Sequence, residues 1–279
     1  MKKTLPAATA TVAILALAAT ALPAQAATKS PEKPTKAAQA AGIHQMGGAY
    51  AGWEKHNSAD HVSSNIAPSP ALAATKTLGI DVSAYQGNVN WSSQYSSGVR
   101  WAYTKATEGD YYTNAYFAQQ YNGSYNAGII RGAYHFANPA GRSASAQADY
   151  FVAHGGGWSK DGKTLPGMLD IEYNPYGATC YGLSQSAMVT WIKTFLARYK
   201  YKTGRDAVIY TTTDWWKTCT GNSTAFSQTN PLWIARYAST PGTLPGGWPY
   251  YTMWQYTSSP IDKDYFNGDI TRVRALANG

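Results

Sequence analysis

The stretch 167-GMLDIEYN-174 joins a short apolar run to two carboxylates that lie two positions apart. The apolar run predicts a short buried strand spanning residues 167–172. Because successive side chains of a strand alternate between its two faces, Asp170 and Glu172 should share one face while the apolar side chains take the other. Two carboxylates about 6–7 Å apart repel each other, so repulsion and partial burial should raise one pKa and leave the other group ionised.

Such a pair suits the hydrolysis of a glycosidic bond. That reaction needs a protonated acid for the leaving oxygen and an anion that supports positive charge at the anomeric centre. A D-x-E pattern by itself is more often the solvated end of a strand. The rest of the chain must decide between these two interpretations.

The chain of 279 residues is rich in aromatic residues and poor in charged ones. It contains 22 Tyr and 10 Trp, whereas Asp, Glu, Lys and Arg make up 14% of it. Surplus aromatic rings suit a carbohydrate-facing cleft, although many such rings belong to a core. The net charge of +8 indicates an acidic partner, such as an anionic cell wall. The basic residues are scattered and no recognition motif is present, so no nucleic-acid partner is expected.

The N-terminus has the layout of a signal peptide. Lys2 and Lys3 precede an apolar run over residues 7–21, and an A-x-A site ends at Ala26. The run is short and interrupted by Thr, and no other segment is apolar enough to cross a bilayer. We therefore expect residues 1–26 to be a signal peptide and the protein to be a secreted monomer without a membrane span.

Residues 27–77 are rich in Ala, Pro, Ser, Thr and Lys and show little periodicity. Such a stretch cannot bury enough surface to order itself fully, although residues 42–61 are compatible with one short helix. The stretch is either a disordered linker or a pro-segment removed after export. The pro-segment is favoured because no folded domain precedes it for a linker to connect.

Cys180 and Cys219 are the only cysteines. A secreted chain with an even number of cysteines usually pairs them, so we expect a disulfide bond. Three of the five histidines fall within residues 27–77, and the two cysteines lack partners for a metal site. The sequence therefore predicts neither a metal nor a cofactor.

From residue 78 to residue 279 the pattern changes to short apolar strands separated by helical stretches. Strands are predicted at 78–83, 99–108, 129–136, 167–172, 206–211, 232–237, 252–256 and 269–273, and helices at 91–97, 115–127, 143–152 and 184–199. Strands that alternate with helices indicate a parallel sheet, and eight of them indicate a barrel. Because the later connections are short, we expect an α/β fold: one flattened, irregular (β/α)8-like barrel with reduced helices in its C-terminal part.

Polar side chains collect at the carboxyl ends of these strands, which converge on one mouth in a barrel. They are Asp81, Glu108, Tyr134, His135, Asp170, Glu172, Tyr210 and Gln255. Carboxylates from several separate strands that meet at one place are hard to explain as ordinary solvated surface residues. The D-x-E pair is therefore interpreted as part of an active site. We further expect Lys105 to stabilise the acids, His135 to be a packed residue and Trp254 to stack on a sugar ring.

Five short motifs, in order along the chain, resemble glycoside hydrolase family 25, the secreted N-acetylmuramidases of bacteria and phages. They are GIDVS with YQG (79–87), KATEG (105–109), GAYHF (132–136), LDIE (169–172) and WQY (254–256). Each motif is weak alone, but five in the same order are a specific signal. The resemblance covers the chain from about residue 78 to the C-terminus.

The resemblance implies hydrolysis of the β-1,4 bond between N-acetylmuramic acid and N-acetylglucosamine in peptidoglycan. It implies that Glu172 is the general acid and that Asp170 orients the 2-acetamido group of the substrate, which is the internal nucleophile. Asp81 corresponds to an acid on the first strand. A fourth acid is expected near the C-terminal loop, where Asp262 fits better than Asp264. Substrate-binding residues are then Tyr134, Glu108, Lys105, Tyr210, Trp254 and Gln255.

Two alternatives stay open at this point. A non-catalytic wall-binding protein on a decayed barrel would be free to lose the acids, which are intact here. A chitinase-like glycosidase also places an acidic pair on a barrel strand, but it would show a longer D-x-x-D-x-D-x-E run. Met168 and Leu165 stand where the two earlier acids of that run would be.

Overall fold

The computed structural model of the chain describes residues 1–2, 32–54 and 76–279. Its described residues contain nine strands, all of which belong to one sheet. These strands are β1 (Lys76–Val82), β2 (Trp101–Glu108), β3 (Tyr112–Thr113), β4 (Ile130–Phe136), β5 (Met168–Asp170), β6 (Val208–Thr211), β7 (Leu232–Ala235), β8 (Met253–Thr257) and β9 (Lys263–Asn267). The first seven predicted strands are all present, with slightly different ends.

The sheet closes on itself. Its strand order is β1-β9-β8-β7-β6-β5-β4-β2, and β1 then pairs with β2, while β3 lies beside β2 outside the ring. Seven strands of the ring run parallel, and β9 runs antiparallel to both of its neighbours, β8 and β1. This topology confirms the predicted (β/α)8-like barrel.

Helices connect most of the strands in the first two thirds of the barrel. Those of the described residues are α1 (Lys36–Ala40), α2 (Trp91–Ser96), α3 (Phe117–Asn126), α4 (Ala144–Phe151), α5 (Gln185–Thr203), α6 (Thr213–Thr220) and α7 (Ile270–Asn278). The stretch 236–262 is described throughout and holds no helix, so β7, β8 and β9 are joined by irregular loops. The helices are therefore reduced in the C-terminal part, as predicted. None of the described helices is both long and apolar enough to span a membrane.

Local signals explain the long helix α5. The hydroxyl of Ser184 accepts a hydrogen bond from the backbone N–H of Ala187 and so caps the first turn. Gly204 ends the helix at a φ of 72°, a left-handed conformation that costs glycine little. Between these ends, buried residues recur at helical spacing and pack on the barrel; they are Met188, Trp191, Ile192, Phe195, Leu196 and Tyr199.

One predicted strand is wrong. The expected strand at 269–273 is the start of α7, because Asp269 accepts hydrogen bonds from the backbone N–H groups of Thr271 and Arg272 and caps a helix. The eighth strand of the ring is instead β9. The short helix expected within residues 42–61 is absent from residues 42–54, and residues 55–61 lie outside the described part of the chain.

Aromatic side chains fill the amino-terminal half of the barrel. The ring of Trp101 lies 5.4 Å from that of Trp233, and the ring of Tyr103 lies 5.1 Å from Trp233. Gly79 and Gly132 make room for these rings, since a Cβ atom would lie 2.2 Å from the Trp101 ring and 2.5 Å from the Tyr103 ring, respectively. Polar side chains at the opposite end of the strands therefore lie above a closed, packed floor.

The predicted disulfide bond between Cys180 and Cys219 is present. It joins the loop that follows β5 to the last turn of α6, across a sequence separation of 39 residues. Cys219 is buried and belongs to the hydrophobic layer between the barrel and the helices. The bond therefore ties the segment beyond the D-x-E pair to the scaffold.

Replacement of both cysteines by alanine is expected to lower the free energy of unfolding by about 4 kcal/mol, because the unfolded chain regains the entropy that the cross-link removes. Urea unfolding of the oxidised wild type and of the double variant measures the difference. Reduction should destabilise the wild type and leave the variant unchanged. A loss below about 1 kcal/mol would show that the bond is incidental to stability.

Candidate active site

Apart from His135, the polar side chains predicted to meet at the mouth of the barrel do meet there. Each is at most 1% exposed: Asp81, Lys105, Glu108, Tyr134, Asp170, Glu172, Tyr210 and Gln255. They arrive on β1, β2, β4, β5, β6 and β8, whose carboxyl ends lie at one end of the ring. Because β9 is antiparallel, its amino end lies at the same mouth and brings Asp262 and Asp264 to it.

The D-x-E pair stands at the end of β5. Asp170 is the last residue of the strand and Glu172 follows it, while Leu169 and Ile171 pack into the hydrophobic layer on the other side. Asp170 raises the pKa of Glu172, so the two carboxyl groups lie close enough to interact. The alternation of the strand thus separates the acidic face from the apolar one, as predicted.

Burial is the main reason why the pKa of each acid is high. It raises the pKa of Glu172 well above its usual range, and the charge of Asp170 raises it further. Burial also raises the pKa of Asp170, which the sequence predicted only for one member of the pair. The ammonium group of Lys105 opposes this shift at Asp170, so of the two acids Asp170 is the one whose ionised form is supported by a cation.

The two acids differ in their hydrogen bonds. Oε1 of Glu172 accepts a hydrogen bond of 2.6 Å from the backbone N–H of Gly52. The two carboxylate oxygens of Asp170 are buried, and apart from an interaction with the neighbouring Glu172 carboxyl group they accept no hydrogen bond from a described residue. Buried acceptors of this kind are costly, and they are typical of sites whose partner is a ligand.

A hydrogen-bond network holds Asp81 in place. Nε2 of Gln255 donates to Oδ2 of Asp81 over 2.8 Å. The hydroxyl groups of Tyr210 and Tyr237 each donate to Oε1 of Gln255 over 2.7 Å. Sequence reasoning missed Tyr237, although it ends the predicted strand 232–237 and so carries the same strand-end signal as Tyr210.

Lys105 and Glu108 form a buried ion pair at one side of the mouth. Nζ of Lys105 lies 2.6 Å from Oε2 of Glu108. Oε1 of Glu108 accepts further hydrogen bonds from the hydroxyl groups of Tyr111 and Tyr176. Burial lowers the pKa of Lys105, and the Glu108 carboxylate opposes that shift. The ion pair is therefore held in place by hydrogen bonds inside the protein.

The last two acids differ in the groups they act on. Asp262 is among the charges that raise the pKa of Glu172. Asp264 is fully buried, and after burial the charge of Asp81 is the largest contribution that raises its pKa. Both candidates for the fourth acid thus reach the mouth, and Asp262 acts on the proposed acid.

Trp254 is not brought to the mouth. It precedes Gln255 on β8, and neighbouring residues of a strand face opposite sides, so a lumen-facing Gln255 sends Trp254 outward. Its ring packs near Tyr256 and Tyr265, and its indole N–H donates to the backbone oxygen of Arg236. At 1% exposure, it has no free face for a sugar ring.

His135 is the packed residue that the sequence predicts. Its Nδ1 lies 2.8 Å from the hydroxyl oxygen of Thr107, and its Nε2 lies 3.0 Å from Oε1 of Gln147. Burial lowers its pKa to about 3, so it is neutral at any ordinary pH. No group of three His, Cys, Asp or Glu side chains in the described residues is arranged to hold a metal ion.

Comparison with known proteins places this chain among the glycosyl hydrolases. The family model "Glycosyl hydrolases family 25" matches residues 80–265. Lysozyme M1 of Streptomyces globisporus is 53% identical over 208 residues, which cover 72% of this chain and 71% of that protein. The N,O-diacetylmuramidase of Chalaropsis sp is 52% identical over 208 residues, covering 72% of this chain and 99% of its own.

A solved structure, that of a muramidase from Acremonium alcalophilum, superposes with a TM-score of 0.71 at 58% identity. It covers 72% of this chain and 99% of that one. That muramidase thus has a complete barrel fold in a chain that corresponds to about 72% of this one.

Replacement of Lys105 by methionine should destabilise the protein by about 3–5 kcal/mol, because it leaves Glu108 as an uncompensated buried carboxylate. Lys200→Met is the matched control: it removes a lysine whose ion pair with Asp206 is 2.8 Å long but exposed. That change should cost less than about 1 kcal/mol. Urea unfolding compares the two variants, and equal losses would show that the buried pair contributes no more than a surface one.

Proposed function

Because this chain belongs to glycosyl hydrolase family 25 and is a muramidase, we propose that it cleaves the β-1,4 bond between N-acetylmuramic acid and N-acetylglucosamine in peptidoglycan. One observation supports the roles that we propose for Glu172 and Asp170. Two buried, interacting carboxyl groups, Glu172 with a raised pKa and Asp170 with no hydrogen-bond partner beyond Glu172, stand side by side above the packed floor of the barrel.

We assign the general acid to Glu172. A general acid must hold its proton near the working pH, and burial together with the charge of Asp170 favours the protonated form. Lys105 and the hydrogen bond with Glu172 favour the ionised form of Asp170, so this proposal places the proton that the pair shares on Glu172. Glu172 donates this proton to the glycosidic oxygen as the bond from that oxygen to the anomeric carbon breaks.

We assign the orientation of the substrate's 2-acetamido group to Asp170. Its buried oxygens accept the amide N–H, which turns the acetamido oxygen toward the anomeric carbon. That oxygen forms the new bond and gives an oxazolinium ion, whose positive charge the Asp170 carboxylate stabilises. Water then attacks the anomeric carbon, the bond from that carbon to the acetamido oxygen breaks and restores the acetamido group, and the Glu172 carboxylate takes the proton of the water. Two displacements at one carbon retain the configuration.

The remaining acids supply negative potential where positive charge develops. Asp81 is held by Gln255, which the hydroxyl groups of Tyr210 and Tyr237 orient in turn. Asp262 is the fourth acid in this proposal because its charge acts on Glu172. The hydroxyl group of Tyr134 completes the set of polar side chains that bind the sugar, together with Gln255, Tyr210, Lys105 and Glu108.

Secretion follows from the same proposal, since peptidoglycan lies outside the cell membrane. The predicted signal peptide, residues 1–26, supports it, although all but its first two residues lie outside the described part of the chain. The net charge of +8 favours accumulation on an anionic wall.

Replacement of Glu172 by glutamine should lower the rate of wall hydrolysis by a factor of about 10² to 10⁴, because the amide cannot donate a proton. The clearing of purified Gram-positive walls measures the rate in a chain that begins at Lys76. Asp206→Asn is the control, since Asp206 lies in an ion pair with Lys200 away from the mouth.

Activity of the Glu172→Gln variant equal to that of the wild type would refute the assignment. Mass spectrometry of the released fragments identifies the sugar at the new reducing end. Muramic acid there supports the proposed bond, and glucosamine would indicate the chitinase-like alternative. A wild type that binds walls without clearing them would indicate the non-catalytic alternative.

The pH profile should distinguish Asp262 from Asp264. The rate must fall as pH rises through the pKa of Glu172, because the acid then loses its proton. Asp262→Asn removes a charge that raises this pKa, so the alkaline limb of the kcat profile should move to lower pH. Asp264→Asn should move it less. A shift to higher pH in the Asp262 variant, or equal shifts in both, would contradict the proposed role of Asp262.

A further inference from the structure

Residues 32–54 lie across the mouth of the barrel. The backbone N–H of Thr35 donates to the oxygen of Pro175 over 2.8 Å, and the indole N–H of Trp53 donates to the oxygen of Tyr173 over 2.9 Å. Both acceptors follow the D-x-E pair in sequence. Between these anchors the segment buries two small residues, Ala49 and Ala51, and Trp53 is buried at the second anchor; all three are at most 2% exposed.

The backbone at residues 51–52 occupies the polar groups of the proposed active site. The N–H of Gly52 donates to Oε1 of Glu172 over 2.6 Å, and the oxygen of Gly52 lies 3.3 Å from the hydroxyl oxygen of Tyr237. The N–H of Ala51 donates to the hydroxyl oxygen of Tyr134 over 3.4 Å. Side chains assigned to the acid and to sugar binding are thus engaged by the chain itself.

Glycine is the residue that fits at position 52. Its φ is 74°, and a Cβ atom there would lie 2.1 Å from the Tyr237 hydroxyl, 2.5 Å from Oε1 of Gln255 and 2.9 Å from the Tyr210 hydroxyl. Gly42, in the same segment, has a similar φ of 85°, but the nearest atom to its Cβ would lie at 3.4 Å. The two glycines therefore share backbone strain and differ in the space around them.

The ion pair at the side of the mouth holds the segment at a second point. Nζ of Lys105 donates to the backbone oxygens of Gly47, over 3.0 Å, and of Ala49. The N–H of Gly47 donates to Oε1 of Glu108 over 3.0 Å. Lys105 and Glu108 contact only the backbone of residues 47–49, so this part of the segment needs no particular side chains in order to be recognised.

We propose that residues 32–54 are an intramolecular inhibitor that docks in the sugar-binding cleft and keeps the enzyme latent until the segment is removed or released. The inference rests on the proposed function, which places the active site at this mouth. A docked segment excludes the polysaccharide by volume. The hydrogen bond from the Gly52 N–H also favours the ionised form of Glu172, whereas catalysis requires the protonated form.

The first experiment compares rates of hydrolysis in the full chain, in the chain that begins at Lys76, and in two variants of the full chain. The chain from Lys76 should hydrolyse walls at least about ten times faster than the full chain. In the full chain, substrate can enter the cleft only in the fraction of molecules that have released the segment. Gly52→Ala should raise the rate of the full chain toward that of the shorter one. Gly42→Ala should leave it unchanged.

A second experiment does not depend on the folding of these variants. A synthetic peptide of residues 32–54 should inhibit the chain that begins at Lys76 competitively with substrate. The same peptide with Gly52→Ala should inhibit at least about tenfold more weakly, because the added methyl group meets the pocket wall. The peptide with Gly42→Ala should inhibit as well as the unmodified one.

Hydrogen exchange separates a failure of this proposal from a failure of the proposed function. If no form hydrolyses walls, the function is refuted, and protection of the Gly47 and Ala51 amides still reports docking: protection in the full chain that is lost on Gly52→Ala supports it. A full chain as active as the chain from Lys76, a peptide that does not inhibit, or unprotected amides would overturn the proposal.

Discussion

Mutual repulsion among buried carboxyl groups at one end of the barrel is the constraint on which the site depends. Asp81, Asp170, Glu172, Asp262 and Asp264 are each at most 3% exposed. So many anions cannot be buried together in their ionised forms, and the protein meets this cost in three ways. Lys105 offers one buried cation, Gln255 binds one carboxylate, and protons neutralise part of the rest. A retained proton on a carboxyl group at the mouth is what acid catalysis requires.

The scaffold makes this arrangement durable. Asp170 projects from β5, whose register is fixed by parallel pairing on both sides, above an aromatic layer that leaves no room for inward movement. Only β9 breaks the parallel order, and its reversal is what brings Asp262 and Asp264 to the mouth. The departure from a regular barrel thus adds two acids to the site without an additional loop.

Local sequence signals predict β5 and α5 well, because an apolar run in one case and a cap with helical spacing in the other act within a few residues. They fail at residues 269–273, where a capping Asp outweighs a strand-like run. The stacking role predicted for Trp254 ignored the alternation that directs Gln255 to the lumen. The docking of residues 32–54 left no side-chain pattern to find, since its polar contacts are made largely by the backbone of Gly47, Ala51 and Gly52.

Above all, we propose that burial, reinforced by the charge of Asp170, keeps a proton on Glu172. Carboxyl-carbon NMR titration of the full chain measures the pKa of Glu172 directly, and the same titration of the Asp170→Asn variant removes the neighbouring charge. The account predicts a pKa above the usual value of about 4.3 in the first protein and a lower pKa in the second. A pKa at or below the usual value, unchanged in the Asp170 variant, would contradict it.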